Sequence, residues 1–203
     1  MATVVVPFRS SDPKRRLEPL PERDRARLAA AMLADVLAAV AAAPAARVFV
    51  VAPELPELPA GMDEPELVPD PRHGQGAAVR AALDAAVAVG APAPYLVLNS
   101  DLPCATPRDV LALAGAVPDG GLALVRAADG TTNALAFSDE RLFEPLYGPG
   151  SAERYAALAP ARLVDAPNLV DDVDTLDDLM RLTSRLGEHT LRLLAELRVD
   201  AAA

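Results

Sequence analysis

Tyr95-Leu96-Val97-Leu98-Asn99-Ser100-Asp101-Leu102-Pro103 is the stretch on which the fold is read. Four largely apolar residues make a short buried strand, and the chain then turns on Asn99-Ser100-Asp101 before Pro103 stops it. In an open α/β sheet, ligands collect just beyond the carboxyl ends of the strands. Asp101 is expected there, with a carboxylate suited to a hard divalent cation that carries phosphates. A second acidic group, Asp171-Asp172-Val173-Asp174, lies far downstream. A metal site requires the two groups to meet in the fold.

Outward from that stretch, strands and helices alternate. Thr3 to Val6, closed by Pro7, is a β-branched run that reads as a first, central strand. Arg47 to Val51 is a second strand, and Glu66-Leu67-Val68 is a short one inside the proline-rich connection from Pro53 to Pro71. Leu122 to Arg126 and the apolar run Ala134 to Phe137 follow, with Arg162 to Asp165 and Leu169 to Val170 as short edge-like strands. Helices are predicted over Pro21 to Ala43, Ala77 to Val89 and about Pro107 to Ala116, and over a short segment carrying Arg154 and Tyr155. In the first of them Leu28, Met32, Val36 and Val40 form a buried stripe. One long C-terminal helix is expected over about 175–199, with Asp174 or Thr175 as its cap and Asp177 and Asp178 favouring its N-terminal dipole. The pattern is α/β with a mostly parallel central sheet. A length of 203 residues suits a single domain, 1–203.

The chain is 52% hydrophobic but only 3% aromatic, without tryptophan, so the core is expected to be built from Leu, Val and Ala. A net charge of −10 argues against a nucleic-acid groove or an anionic membrane surface. The single cysteine, Cys104, excludes an intramolecular disulfide and a multi-cysteine zinc site, and reads as a small packing residue rather than a nucleophile. No apolar run is long enough to span a membrane and no signal peptide is visible, so a cytoplasmic location is expected.

Several loops carry chemistry. Phe8 to Leu17 is a polar loop after the first strand, holding Arg9, Lys14, Arg15 and Arg16, where a triphosphate would be held. It contains no glycine and is not a Walker loop; the plain alternative is a solvated loop. His73-Gly74-Gln75-Gly76 opens a helix, so Gly74 and Gly76 can bring backbone N–H groups to a base or phosphate, or simply make a turn. His73 reads as a loop residue. Asp129-Gly130-Thr131-Thr132-Asn133 exposes hydroxyls, an amide and backbone donors, and is also a hairpin signal. Gly148-Pro149-Gly150-Ser151 again offers N–H groups and a hydroxyl to an anion. Asp172 and Asp174, two apart in a short strand, share a face and repel each other unless a cation lies between them.

Alternating elements, a cationic loop after strand one and two separated acidic sites fit nucleotidyl transfer. There a substrate phosphate attacks the α-phosphorus of a nucleoside triphosphate and expels pyrophosphate. The chemistry needs charge neutralisation and in-line positioning more than a protein nucleophile. Lys14 and the arginines would hold the triphosphate, and Mg²⁺ on Asp101, Asp172 and Asp174 would bridge donor and acceptor oxygens.

Val6-Pro7, Lys14-x-Arg16-Leu17, Arg25 with Met32-Leu33-x-Asp35, Asp101-Leu102-Pro103, Thr132-Asn133-Ala134-Leu135, Gly148-x-x-Ser151 and Asp172-Val173-Asp174-Thr175-x-x-Asp178-Leu179 occur in this order. The ordered set resembles the CofC/FbiD family of guanylyltransferases of coenzyme F-420 biosynthesis, from about Thr3 to Leu182. The resemblance implies a glycosyltransferase-A-like, Rossmann-like three-layer nucleotidyltransferase fold. It also implies transfer of GMP from GTP to a small phosphorylated acid: phosphoenolpyruvate, 2-phospho-L-lactate or 3-phosphoglycerate. Carried over, Asp101, Asp172 and Asp174 bind Mg²⁺ and, with Lys14, form the catalytic set. Pro7, Arg9, Lys14, Arg16, Gly74 and Gly76 serve the nucleotide, and Thr132, Asn133, Gly148 and Ser151 cradle the acceptor. Hand-over to the deazaflavin-coupling transferase is compatible with the resemblance, as is a homodimer. Three positions depart from the family pattern: Phe8 replaces a usual Lys, Gly76-Ala77 a usual Leu-Asn, and Tyr155 a usual His. Two other readings remain open at this level. One is a related transferase acting on a sugar phosphate or a molybdopterin-type cofactor; the other is a non-catalytic nucleotide-binding protein.

Overall fold

The structure is a computed structural model and describes residues 1–9, 17 and 20–197. Ala2–Pro7 (β1) is the central strand the β-branched run predicts. It pairs in parallel with Ala45–Ala52 (β2) on one side and with Tyr95–Leu98 (β4) on the other. Glu66–Pro69 (β3) extends the sheet in parallel beyond β2. On the far side of β4, Thr132–Phe137 (β6) runs antiparallel, followed by Leu122–Arg126 (β5) and then by Ala161–Leu163 (β7), parallel to β5. The order of this seven-stranded sheet is β3-β2-β1-β4-β6-β5-β7, with β6 as the reversed strand. The chain lays down β2 and β3 on one side of β1 and then crosses to the other side to make β4. This switch opens a crevice beyond the carboxyl ends of β1 and β4.

The alternation of side chains sorts the core into layers. Val4, Val6, Leu96 and Leu98 face one way, against Leu33, Val36, Leu37 and Val40 of Glu22–Ala41 (α1) and against Val110 and Leu113 of Pro107–Gly115 (α3). Val5, Phe49, Val51 and Val97 face the other way, against Val79, Ala82 and Leu83 of Gln75–Ala88 (α2) and against Ala152 and Tyr155 of Ser151–Ala156 (α4). Full burial of each such aliphatic chain contributes about 1.5–3 kcal/mol. The stripe expected on the first helix divides between two clusters. Val36 and Val40 face the sheet, while Leu28 and Met32 pack with Leu179, Leu182 and Leu193. A spacing of four advances the helix by 400°, so such a stripe drifts by about 40° at each step and comes to serve two surfaces.

The C-terminal helix departs from expectation. It is two helices, Leu176–Leu182 (α5) and Glu188–Leu197 (α6); residues 198 and 199 lie outside the described chain. Thr175 caps α5 in a capping box with Asp178, and at the far end the Thr183 hydroxyl donates to the Leu179 and Met180 carbonyls. The break is then held from a distance. Gly187 N–H donates to the Pro103 carbonyl at 2.7 Å, and a Cβ on Gly187 would lie 2.3 Å from the Asp35 carboxyl carbon. The buried Asp35 carboxylate, on α1, accepts the N–H groups of His189 and Thr190 and so starts α6. Burial pushes the Asp35 carboxyl above its ordinary range, while these hydrogen bonds pull it back. Two expected strands also change. Leu169 instead ends a single 3₁₀ turn, Pro167–Leu169, led by a proline that lacks an N–H for a ladder and capped by Val170. Of the strand expected over Arg162 to Asp165, Arg162 and Leu163 lie in β7, which starts earlier at Ala161.

Candidate active site

Register places the candidate residues on one edge. Val5 is level with Val97 and Leu98 with Ala134, so Pro7, Asn99 and Asn133 all reach the rim where the parallel strands end. The start of α2 follows β3 at the same rim. Beyond β4 the chain turns through Asn99, Ser100 and Asp101, and the Asp101 carbonyl accepts the Val173 N–H at 3.0 Å. That backbone bond draws the downstream acidic segment onto the turn. Asp101, Asp172 and Asp174 each offer a carboxylate oxygen, and these atoms all lie within 4.8 Å of one another. The segment around Asp172 and Asp174 is irregular chain rather than the short strand expected, so the contact with Asp101, not strand parity, brings the two side chains together.

Three hard oxygen donors, each half-buried, suit Mg²⁺. Oxygens bound to one Mg²⁺ at about 2.1 Å lie no more than about 4.2 Å apart, so small side-chain rotations close this set around a cation. Without a cation the group is electrostatically unfavourable. Burial first, and then the facing Asp101, push the Asp172 carboxyl above the ordinary carboxylate range; a hydrogen bond from Asn133 partly offsets them. The neighbouring Asp171 behaves in the opposite way. Burial raises it, but hydrogen bonds from Arg185 and Arg181, both at 2.8 Å, outweigh burial and hold it below that range. The two arginines anchor the acidic segment from its outer side.

Of the acceptor candidates, Thr132 and Ser151 meet: both are buried, and the Ser151 hydroxyl donates to Thr132 Oγ1 at 3.1 Å. Gly148, at φ 103°, has a left-handed backbone that other residues rarely adopt, and its carbonyl accepts the Ser151 N–H at 3.0 Å. Asn133 is placed by an irregularity. Val125 pairs with Ala134 but Arg126 pairs with Thr132, which leaves Asn133 as the extra residue of a β-bulge. Its Nδ2 donates to the Val170 carbonyl at 3.0 Å and to Asp172 Oδ1 at 3.3 Å.

Of the nucleotide candidates, Pro7 ends β1 and Arg9 is exposed beyond it, whereas Lys14 and Arg16 lie outside the described residues. Gly74 stands at the N-cap of α2 with open space beside it. Gly76 has a packing reason of its own, since a Cβ there would meet Pro145 Cβ at 2.4 Å. The departures from the family pattern also turn inward. Phe8 is buried in the core, and Tyr155 is fully buried, its hydroxyl accepting the Leu146 N–H at 3.3 Å. Cys104 is buried, and desolvation pushes its thiol up, which fits a packing role. Sequence reasoning missed Gln75 and Asn99, which hydrogen-bond each other at 2.7 Å at this rim; their only signal was a polar residue beside a glycine and one two places before Asp101.

The MobA-like NTP transferase domain matches residues 25–165 of the chain. A phosphoenolpyruvate guanylyltransferase from Geodermatophilus obscurus is 35% identical over 95% of this chain and 93% of its own. One from Roseiflexus sp. (strain RS-1) is 34% identical over 89% and 83%, and a 3-phospho-D-glycerate guanylyltransferase from Phenylobacterium zucineum is 34% identical over 87% of each. Among solved structures, a nucleotidyl transferase from Methanothermobacter has a TM-score of 0.63 at 20% identity, covering 95% of this chain and 98% of that one. A 2-C-methyl-D-erythritol 4-phosphate cytidylyltransferase from Thermus thermophilus has a TM-score of 0.58 at 19% identity, covering 89% and 96%. These two likenesses concern the fold, a nucleotidyltransferase sheet with its helices. Among the described residues, no helix is long and apolar enough to cross a membrane.

Proposed function

We propose, for a chain that belongs to the CofC/FbiD family of nucleotidyltransferases with a MobA-like NTP transferase domain, that it transfers GMP from GTP to a small phosphorylated acid in the route to coenzyme F-420. The observation that carries this reading is the convergence of Asp101, Asp172 and Asp174 at the carboxyl edge of β1 and β4. An acceptor phosphate oxygen attacks the α-phosphorus of GTP; the new P–O bond forms as the bond to the β-phosphate oxygen breaks, and pyrophosphate leaves. Asp101, Asp172 and Asp174 would hold Mg²⁺, which would supply the charge neutralisation that the phosphate oxygens need for in-line displacement.

Pro7, Arg9, Gly74 and Gly76 border the nucleotide, with Lys14 and Arg16 on its phosphates. The Ser151–Thr132 pair and the Gly148 turn hold the acceptor, with Asn133 beside them. A buried, mutually bonded pair of hydroxyls is a preorganised receptor: its members already face each other, and little ordering remains to be done when a carboxylate or phosphate arrives. Two of the relatives described above are named for phosphoenolpyruvate and one for 3-phospho-D-glycerate, so phosphoenolpyruvate is the first acceptor to try. Product then passes to the deazaflavin-coupling transferase.

A pyrophosphate-release assay with Mg²⁺ tests the proposal, crossing GTP and ATP against phosphoenolpyruvate, 2-phospho-L-lactate and 3-phosphoglycerate, with the coupling transferase and its deazaflavin substrate as a trap. Release with GTP and one of the acids is expected. Release with ATP alone, or with none of the acids, overturns it.

A further inference from the structure

We propose that Gln75, Asn99 and Asn133 form a positioning relay that orients the Asp172 carboxylate for the cation and ties it to the start of α2. The proposal rests on the reading of Asp101, Asp172 and Asp174 as a cation site. Three side-chain amides stand in line. Gln75 Nε2 donates to Asn99 Oδ1 at 2.7 Å, Asn99 Nδ2 to Asn133 Oδ1 at 3.4 Å, and Asn133 Nδ2 to Asp172 Oδ1 at 3.3 Å.

The chemistry at one end dictates the direction of the whole line. The Val170 carbonyl and the Asp172 carboxylate can only accept, so Asn133 must turn its NH₂ toward them. Its carbonyl therefore faces Asn99, which must answer with NH₂, and the Asn99 carbonyl in turn requires the NH₂ of Gln75. An amide ordinarily has two nearly equivalent orientations; here none of the three is free to flip without setting two like groups against each other. Aligned dipoles polarise one another, and each directs its positive end toward the carboxylate.

The backbone supports the same line. Asn99 N–H donates to the Asn133 carbonyl at 3.1 Å, which extends the β4–β6 ladder by one bond past Leu98. The bulge at Asn133 provides the re-aimed side chain that reaches Asp172. Asn133 is buried, whereas Asn99 and Gln75 are half-buried at the rim, so the relay runs from the nucleotide edge of the crevice into the carboxylate set. Hydrogen-bond partners of metal ligands fix ligand orientation, and their loss typically costs about 10–100-fold in metal affinity. Asn99 and Gln75 act one and two steps further out, so their effects are smaller and decline with distance.

The test is binding of Mn²⁺, followed by electron paramagnetic resonance in the absence of nucleotide, so that no turnover enters. Asn99→Leu keeps the side chain's bulk and removes both of its hydrogen bonds; the expected result is a Kd for Mn²⁺ raised by roughly 3–10-fold, at or below the low end of the range for direct partners. Gln75→Leu is expected to raise it less, and the double variant no more than Asn99→Leu alone, because one broken link interrupts the line. Thermal unfolding without metal should stay within about 2 °C of wild type for both variants, since half-buried polar sites outside the core usually cost little. Wild-type affinity in Asn99→Leu, or independent additive losses, overturns the relay while leaving the cation site standing. A wild-type protein that binds no Mn²⁺ overturns the cation site and the relay together.

Discussion

Replacing Asp172 by Asn keeps the side chain's size and an acceptor for Asn133 Nδ2, and removes one charge from the acidic set. Two unit charges 4.8 Å apart repel by about 3.5 kcal/mol at an effective dielectric of about 20. All three carboxylates are half-buried rather than sealed, so water access reduces this severalfold, and about 1 kcal/mol is a realistic relief. In a chain of this size that corresponds to a rise in Tm of roughly 2–4 °C for the metal-free variant. Magnesium reverses the order. Wild type gains about 2.7 kcal/mol at a concentration one hundred times its Kd, whereas the variant has lost a ligand and gains little.

The pH dependence has a definite sign. Asp172 has a folded pKa above its unfolded value, so the folded state binds more protons and loses stability as pH rises through the carboxyl range. The advantage of Asp172→Asn in metal-free buffer is therefore full at neutral pH and shrinks as pH falls through the raised folded pKa of Asp172, where wild type takes up the proton. Differential scanning fluorimetry of both proteins, with EDTA and with Mg²⁺, across pH 4 to 8 reads all three effects. A metal-free variant that melts at or below wild type at pH 7, or one that Mg²⁺ stabilises as much as wild type, refutes the reasoning.

Asp101→Asn is expected to lower pyrophosphate release by roughly two orders of magnitude or more, the usual result of losing a metal ligand; near-wild-type turnover removes Asp101 from the site. Ser151→Ala deletes the hydroxyl that meets Thr132 and should raise the KM for the acceptor acid while leaving that for GTP unchanged, with about 1 kcal/mol of stability lost. An equal rise in both KM values places Ser151 elsewhere. Asp35→Ala leaves the His189 and Thr190 N–H groups without their acceptor and should destabilise the fold by about 2 kcal/mol, read by urea unfolding, while Mn²⁺ affinity stays at the wild-type value. A loss of metal affinity in that variant would show that the α6 start reaches the carboxylate set.

The sequence by itself determined what depends on neighbours along the chain. The β-branched run at Thr3 to Val6 and the apolar run at Tyr95 to Leu98 announce strands buried on both faces, and the turn of the second onto Asp101 marks a rim position. Thr175 with Asp178 is a capping box legible at a spacing of three. Tertiary structure alone decided what depends on residues remote in the chain. Gly187 is a local signal that can interrupt the helix expected over about 175–199, but the partners that fix the new start, the Pro103 carbonyl and the Asp35 carboxylate that accepts the N–H groups of His189 and Thr190, lie far away in the chain. Asn133 reads locally as part of a turn; the pairing of β6 with β5 makes it a bulge that points at Asp172. The two acidic groups come together because β4 lies between β1 and β6, and because the Asp101 carbonyl captures the Val173 N–H. Periodicity and capping act within one or two helical turns, whereas a site made of carboxylates from distant segments exists only after the order of strands in the sheet is set.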